Sequence, residues 1–277
     1  MKNILILILS LLFWLQPCLA FSRDSLSREE KSVQKFFKTQ LRYANRMNYD
    51  KYIKTYDSTY SNSDGFNLDI YSKLVRDIWK TYDNIKYDIE IENIALSSDK
   101  AVVDVVETSY AELGVISAKY TGELKSVANT TYCLVRDNKT WKVLSDTVKD
   151  ETTTMLYGDA KDLKINLTVP KEINANVDYS AVLEFVPPKD TMAIASIASD
   201  IVEYPQKPTE EVFRVLPEDN ILERLFTSND KNANEYIIAS IGLINLKQSL
   251  TPSGFGYCIK RVNVIANQED RANVENE

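Results

Sequence analysis

The chain has 277 residues, of which 44% are hydrophobic and 26% are charged, and its 33 basic and 40 acidic side chains give a formal net charge of −7. These fractions are ordinary for a globular protein and exclude both a largely disordered chain and a polytopic membrane protein. Histidine is absent and only 7 glycines occur, which excludes His-based catalysis, His metal ligands and glycine-rich nucleotide loops. No cofactor is therefore expected, and an acidic chain without a Lys/Arg cluster is not expected to bind nucleic acid.

Residues 1–20 have the pattern of a secretory signal peptide. An apolar run from Ile4 to Leu15 is followed by the small-residue exit Cys18-Leu19-Ala20, so cleavage is expected after Ala20. The run covers about 18 Å, too little for a hydrocarbon core of about 30 Å. Two alternatives are an uncleaved anchor and a lipid-modified Cys18, against which Pro17 argues. The pattern predicts an exported protein, periplasmic or extracellular, with no membrane span after cleavage.

Three helices are predicted next. The first begins with a capping box formed by Ser27 and Glu30. A short second helix covers Tyr49 to Tyr56, and a third covers Ile70 to Tyr82, each with apolar residues at helical spacing. One face of each helix is therefore expected to pack against other elements.

The spacing of apolar residues changes from about 3.6 to 2 near residue 85, which predicts strands. Ile85 to Ile91 alternate with charged residues, and β-branched residues dominate Val102 to Tyr110. Val115 to Thr131 is long enough for a bent strand. Two further strands, 131–136 and 140–145, flank a short polar turn and complete an antiparallel meander.

The order of three helices followed by a strand meander resembles the NTF2-like, or SnoaL-like, superfamily over residues 25–150. The resemblance rests on the helix pattern, on Tyr49 to Tyr56 leading into Asp64-Gly65, and on the closing segment Asp137 to Val143. It implies an α+β cone in which three helices pack in a curved antiparallel sheet. It also implies a cup that serves different members as an enzyme site, a binding site or an oligomerisation domain, so a homodimer through the sheet is one expectation.

The resemblance directs attention to side chains expected to line this cup. These candidates are Tyr56, Tyr60, Asp64, Trp79, Tyr110, Tyr132 and Asp146. An aromatic cup with one carboxylate can bind a small apolar ligand, or abstract a proton beside a carbonyl if burial raises the pKa of the carboxylate. The alternative is that these aromatic residues simply fill the core.

The composition changes near residue 160. Apart from the proline in the signal peptide, every proline lies between Pro170 and Pro252. The polar stretch 151–161 is predicted to be a linker, and seven strand-like runs over 162–266 predict an all-β, immunoglobulin-like sandwich. Residues 267–277 are predicted to form a disordered acidic tail.

Cys133 and Cys258 are the cysteines that remain after signal cleavage. They are either joined in a disulfide between the two domains or present as two separate buried thiols.

These patterns together predict an exported, non-catalytic cell-envelope protein. Its cup and sandwich would bind a small apolar ligand or an envelope protein. The alternative is an NTF2-like isomerase or lyase that uses a cup carboxylate, Asp64 or Asp146, together with the tyrosines.

Overall fold

The computed structural model describes residues 27–116, 120–247 and 250–266. The predicted signal peptide, residues 1–20, and the predicted acidic tail, residues 267–277, lie outside these ranges. Among the described residues, no helix has both the length and the apolar character needed to cross a membrane.

The three predicted helices are present. They are α1 (Arg28–Ala44), α2 (Tyr49–Ile53) and α3 (Leu68–Thr81). The Ser27 hydroxyl accepts from the backbone N–H of Glu30 and the Glu30 carboxylate accepts from that of Ser27, which completes the expected capping box. Asn side chains cap the other two helices.

Four long antiparallel strands follow, β1 (Lys86–Leu96), β2 (Lys100–Ile116), β3 (Tyr120–Asp137) and β4 (Thr140–Gly158). Buried residues of α1, such as Val33 and Phe37, pack with inward-facing residues of the sheet, such as Val103 and Leu134. The helices therefore lie on the buried face of the sheet and close it off from solvent.

The second half of the described chain is all β. Its strands are β5 (Asn166–Thr168), β6 (Glu172–Asn174), β7 (Asp178–Glu184), β8 (Thr191–Ile201), β9 (Arg214–Val215), β10 (Ile221–Thr227), β11 (Glu235–Asn245) and β12 (Thr251–Ile265). The order β10-β7-β5 forms a small sheet. Leu183 of β7 and Phe185, which follows that strand, are buried and pack against Ile197, Ile237 and Ile241 of β8 and β11.

The larger sheet continues from the first half into the second, in the order β1-β2-β3-β4-β12-β11-β8-β9, with β6 beside β12. Residues Thr152 to Gly158 of β4 pair with Lys260 to Gly254 of β12. The predicted linker 151–161 is therefore replaced by the end of β4 and a 3₁₀ helix, Asp159–Asp162. Its threonines are polar, which is why a linker was predicted. They are also β-branched and pair with β3 on one side and β12 on the other, which favours a strand.

Candidate functional site

A cavity of about 200 Å³, called the cup cavity below, lies between the helices and the sheet. An apolar cavity of about 150 Å³ can hold benzene, so this one has room for a molecule of about one ring. Its wall is mainly aromatic and aliphatic, with a few polar groups. The wall residues include Gln40, Leu41, Tyr52, Tyr71, Trp79, Tyr87, Asp88, Ile89, Glu107, Ser109, Ser126, Ala128 and Tyr132, of which Asp88 is exposed.

Glu107 supplies a carboxylate to this wall. It lies on β2 at an inward position, in the alternation that also buries Val103 and Val105. Its Oε1 accepts a hydrogen bond of 2.8 Å from the Tyr132 hydroxyl, and its Oε2 accepts one of 2.8 Å from Thr130. Burial raises the pKa of Glu107, while these two hydrogen bonds act in the opposite direction.

Three tyrosine hydroxyls form a closed triangle beside the cup cavity. The Tyr52 and Tyr56 oxygens lie 3.0 Å apart, those of Tyr52 and Tyr71 2.9 Å apart, and those of Tyr56 and Tyr71 2.8 Å apart. If each hydroxyl donates once and accepts once around the triangle, all three protons are used. The three tyrosines therefore hold one another's hydroxyls in place.

A second buried carboxylate, Asp146 on β4, accepts a hydrogen bond of 2.5 Å from the Tyr60 hydroxyl. Burial is the main cause that raises the pKa of Asp146 to about 6, and the negative charges of Glu107 and Asp64 act in the same direction. The Tyr60 hydrogen bond opposes the shift. Neither residue belongs to the wall of the cup cavity, so this pair lies outside the ligand space.

Asp64 lies in a different place from the one expected, because it forms a buried ion pair with Arg261 of β12. Arg261 is 2% exposed, and its Nη1 donates to Asp64 Oδ2 at 3.1 Å while Nη2 bonds Oδ1. Asn234 also donates to Asp64, at 2.7 Å. Asp64 therefore joins the first half of the chain to the second and does not face the cup cavity.

The seven residues predicted from sequence thus divide into groups. Trp79 and Tyr132 line the cup cavity, whereas Tyr56 lies outside its wall and bonds two wall residues, Tyr52 and Tyr71. Tyr60, Asp146 and Asp64 make the buried pairs described above. Tyr110 is 44% exposed and lies outside the cavity wall.

Glu107 was missed by the sequence reasoning, although a signal for it exists. Val103 and Val105 are buried and Glu107 continues their alternation, so a charged residue stands at an inward position of the strand. The same alternation places Tyr110, at an even position, on the outer face.

Of the two alternatives for the cysteines, the disulfide between the halves is not formed, and both cysteines are free. Cys133 pairs with Ser145 of β4, and Cys258 pairs with Thr154 of the same strand. Nine residues of strand separate these partners by roughly 30 Å, whereas a disulfide needs Cα atoms within about 7 Å. The alternative of two separate buried thiols fits for Cys258, whereas Cys133 is separate but only partly buried. Burial raises the pKa of Cys258 to about 11.

No group of three or more Cys, Asp and Glu side chains in the described part of the chain is arranged to hold a metal ion. What the cup cavity offers instead is an aromatic enclosure with a carboxylate held by two hydroxyl donors.

No protein-family model matches the chain, and no curated protein matches it. Similar solved structures include Bd1075 of Bdellovibrio bacteriovorus, with 15% identity and a TM-score of 0.37 over 44% of this chain and 42% of that one. Thus the match spans less than half of the Bdellovibrio protein. A second is a putative scytalone dehydratase from Novosphingobium aromaticivorans, with 14% identity and a TM-score of 0.38 over 44% of this chain and 83% of that one. A third is a putative dehydratase of the NTF2-like family from Streptomyces avermitilis, with 11% identity and a TM-score of 0.37 over 43% of this chain and 96% of that one.

Proposed function

We propose that this chain is an exported, non-catalytic binding protein whose cup cavity takes one small, mostly apolar molecule. The observation that carries the proposal is the partly open cavity of about 200 Å³ with a mainly aromatic and aliphatic wall and a carboxylate, Glu107, held by Tyr132 and Thr130. Binding sites for small molecules have this composition, an apolar enclosure with a few placed polar groups that fix orientation.

The polar groups of the wall favour binding over catalysis. Proton abstraction needs a base and also a donor that stabilises the developing negative charge. The described wall contains no lysine or arginine. The hydroxyls of Tyr52 and Tyr71 bond within the triangle, and that of Tyr132 bonds Glu107. A carboxylate is present, but the described wall holds no cationic donor to face it, and its remaining donors, such as the Tyr87 hydroxyl, are neutral.

The second half of the chain would serve the binding of an envelope partner. β9 and β10 are edge strands, and Val212, Val215 and Leu225 beside or on them are 59%, 61% and 66% exposed. Exposed apolar side chains at sheet edges are typical of protein contact surfaces. The immunoglobulin-like character of this all-β half, the export signal and a homodimer through the sheet of the first half stay predictions.

Titration of the ¹⁵N-labelled protein, residues 21–277, with single-ring compounds tests the binding function. Amides of the cup cavity wall should shift. The variant Ala128→Phe fills the cavity opposite Glu107 and should weaken binding at least tenfold. The matched control, Val127→Phe, carries the same ring on the neighbouring position outside the described wall and should bind normally. Unchanged binding by Ala128→Phe, or shifts confined to other surfaces, would overturn the proposal.

An isomerase or lyase is the second candidate, with Glu107 as the base in place of Asp64 or Asp146. The raised pKa of Glu107 inside the cavity favours it, because a base with a raised pKa accepts protons better. Exchange of the α-protons of cyclohexanone in deuterated water, followed by NMR, detects such a base without a known substrate. Exchange that the wild type accelerates and Glu107→Gln does not would replace the binding proposal by the enzymatic one.

A further inference from the structure

We propose that the ligand of the cup cavity is a small organic ammonium ion of about one ring, held between the Glu107 carboxylate and the aromatic wall. This proposal rests on the binding function proposed above and adds the chemical class of the ligand.

The first argument is charge. Buried carboxylates are normally paired with a cation, and Asp64 follows this rule because it binds Arg261. Glu107 does not follow it, since no lysine or arginine of the described residues forms an ion pair with it. Asp146, which bonds the Tyr60 hydroxyl, has no such ion pair either, but it lies outside the cavity wall. A cation inside the cavity would supply the missing partner and offset the cost of burying the carboxylate.

The groups around Glu107 strengthen this charge imbalance. Titratable groups from each neighbouring element that interact with it are phenols or carboxylic acids: Tyr52 of α2, Tyr87 of β1, Tyr132 of β3, and Asp146 and Glu151 of β4. All of these are neutral or negative. The titratable groups named here thus add no positive charge beside the carboxylate, which favours a positive ligand.

The second argument is a hydrogen-bond inventory of the wall. The closed triangle uses the hydroxyl protons of Tyr52 and Tyr71, the Tyr132 hydroxyl donates to Glu107, and the Trp79 indole N–H donates to the Tyr87 oxygen at 3.0 Å. The Tyr87 hydroxyl accepts from Trp79 and keeps its own proton, and Gln40 gives one of its two amide protons to Thr55, so the wall retains some donors. The Glu107 carboxylate and the unused phenol lone pairs nevertheless offer several acceptors to an ammonium group, which donates up to three hydrogen bonds.

The third argument is the wall itself. Five aromatic side chains line the cavity, namely Tyr52, Tyr71, Trp79, Tyr87 and Tyr132. The rings of Tyr52 and Trp79 have centroids 5.4 Å apart. Electron-rich rings attract cations through their faces, by about 0.5–2 kcal/mol per contact, and the volume limits the ligand to about one ring. The charge of Glu107, the acceptors of the wall and its aromatic composition thus point to the same ligand class.

Four probes of nearly equal size test the proposal: benzylamine, which is a cation at pH 7.5, benzyl alcohol, toluene and cyclohexanone. Dissociation constants come from NMR titrations of the full chain after signal removal. Benzylammonium should bind at least tenfold more tightly than benzyl alcohol and toluene. Its affinity should fall as the pH is lowered and Glu107 takes up a proton, whereas that of toluene should stay constant.

The variant Glu107→Gln keeps the shape and removes the charge. It should weaken the binding of benzylammonium at least tenfold and change the affinity for toluene less than threefold. Glu112→Gln, at an exposed position of the same strand, is the control and should change neither. If Glu107→Gln fails to fold, the pH dependence measured on the wild type still decides between a charged and a neutral Glu107.

The outcomes separate this proposal from the function beneath it. Equal binding of benzylammonium and toluene would overturn the ammonium class and leave the binding cup in place. Tightest binding of cyclohexanone would also overturn it, because a protonated Glu107 would then donate to a ligand acceptor. Binding of none of the four probes would overturn both proposals.

Discussion

Replacing Arg261 by methionine should lower the free energy of unfolding by about 3–5 kcal/mol. The guanidinium is buried and bonds both carboxylate oxygens of Asp64, whose side chain is 5% exposed. Methionine fills part of the space but leaves Asp64 with the neutral donor Asn234 as its remaining partner described above. Removing one member of a buried ion pair costs about 3–5 kcal/mol because the other charge stays buried. This corresponds to between two and four orders of magnitude in the unfolding equilibrium constant.

Urea unfolding at pH 7, followed by tryptophan fluorescence and circular dichroism, measures this loss. Two matched variants calibrate it. The exposed pair of Lys73 and Asp69 has a similar N–O distance of 2.7 Å but side chains that are 60% and 71% exposed, so Lys73→Met should cost less than about 0.5 kcal/mol. The double variant Asp64→Leu with Arg261→Met replaces both charges by apolar groups and should recover most of the loss.

Two results would refute this reasoning. A loss below about 1 kcal/mol in Arg261→Met would mean that Asp64 finds solvent or another partner without the guanidinium. A double variant as unstable as the single one would mean that the packing of Arg261, and not the pairing of its charge, stabilises the contact.

The remaining predictions concern pH, a turn and the thiols. The pKa of Asp146 is raised from 3.8 to about 6, so its proton stabilises the fold at low pH and this contribution is lost as the pH rises towards 6. Asp146→Asn should therefore flatten the fall in unfolding free energy between about pH 4 and 6, measured in urea, and an unchanged slope would contradict this. Gly158 has φ +57° and a Cβ there would meet a carbonyl oxygen. Gly158→Ala should thus cost more than about 2 kcal/mol, whereas Gly114→Ala, in open space, should cost less than about 1 kcal/mol. Without reductant, Cys133 and Cys258 should both be alkylated after unfolding. A mass without the two labels would show instead that the cysteines form a disulfide.

Local periodicity was enough to predict the helices and the first strands, because each of these elements buries one face. The apolar spacing of Val33 and Phe37 within α1, and of Val103 and Val105 within β2, corresponds directly to what the fold buries. The end of β4 could not be predicted in this way. Thr152 to Thr154 have no apolar alternation, and their strand state depends on pairing with Lys260 to Cys258, about a hundred residues away.

The candidate site was predicted only in part for a related reason. Trp79 and Tyr132 could be found because aromatic residues at inward positions tend to line whatever space the fold encloses. Asp64 was predicted to face the cup because it follows the second helix. Its actual partner is Arg261, which lies 197 positions further along the chain. No local pattern reveals that partner. Glu107 could have been predicted from sequence, because counting alternate positions along its strand places it on the inward face.

The seven-residue ladder between β4 and β12 has a practical meaning for anyone who wishes to divide this protein. Cutting the chain near residue 150 would separate β12 from most of β4, its neighbour in the sheet. The backbone amides and carbonyls along the new edge would then be unpaired. Unpaired sheet edges pair with strands of other molecules, so either fragment is expected to aggregate. Mutagenesis, crystallisation and fusion work are therefore better carried out on the uninterrupted molecule.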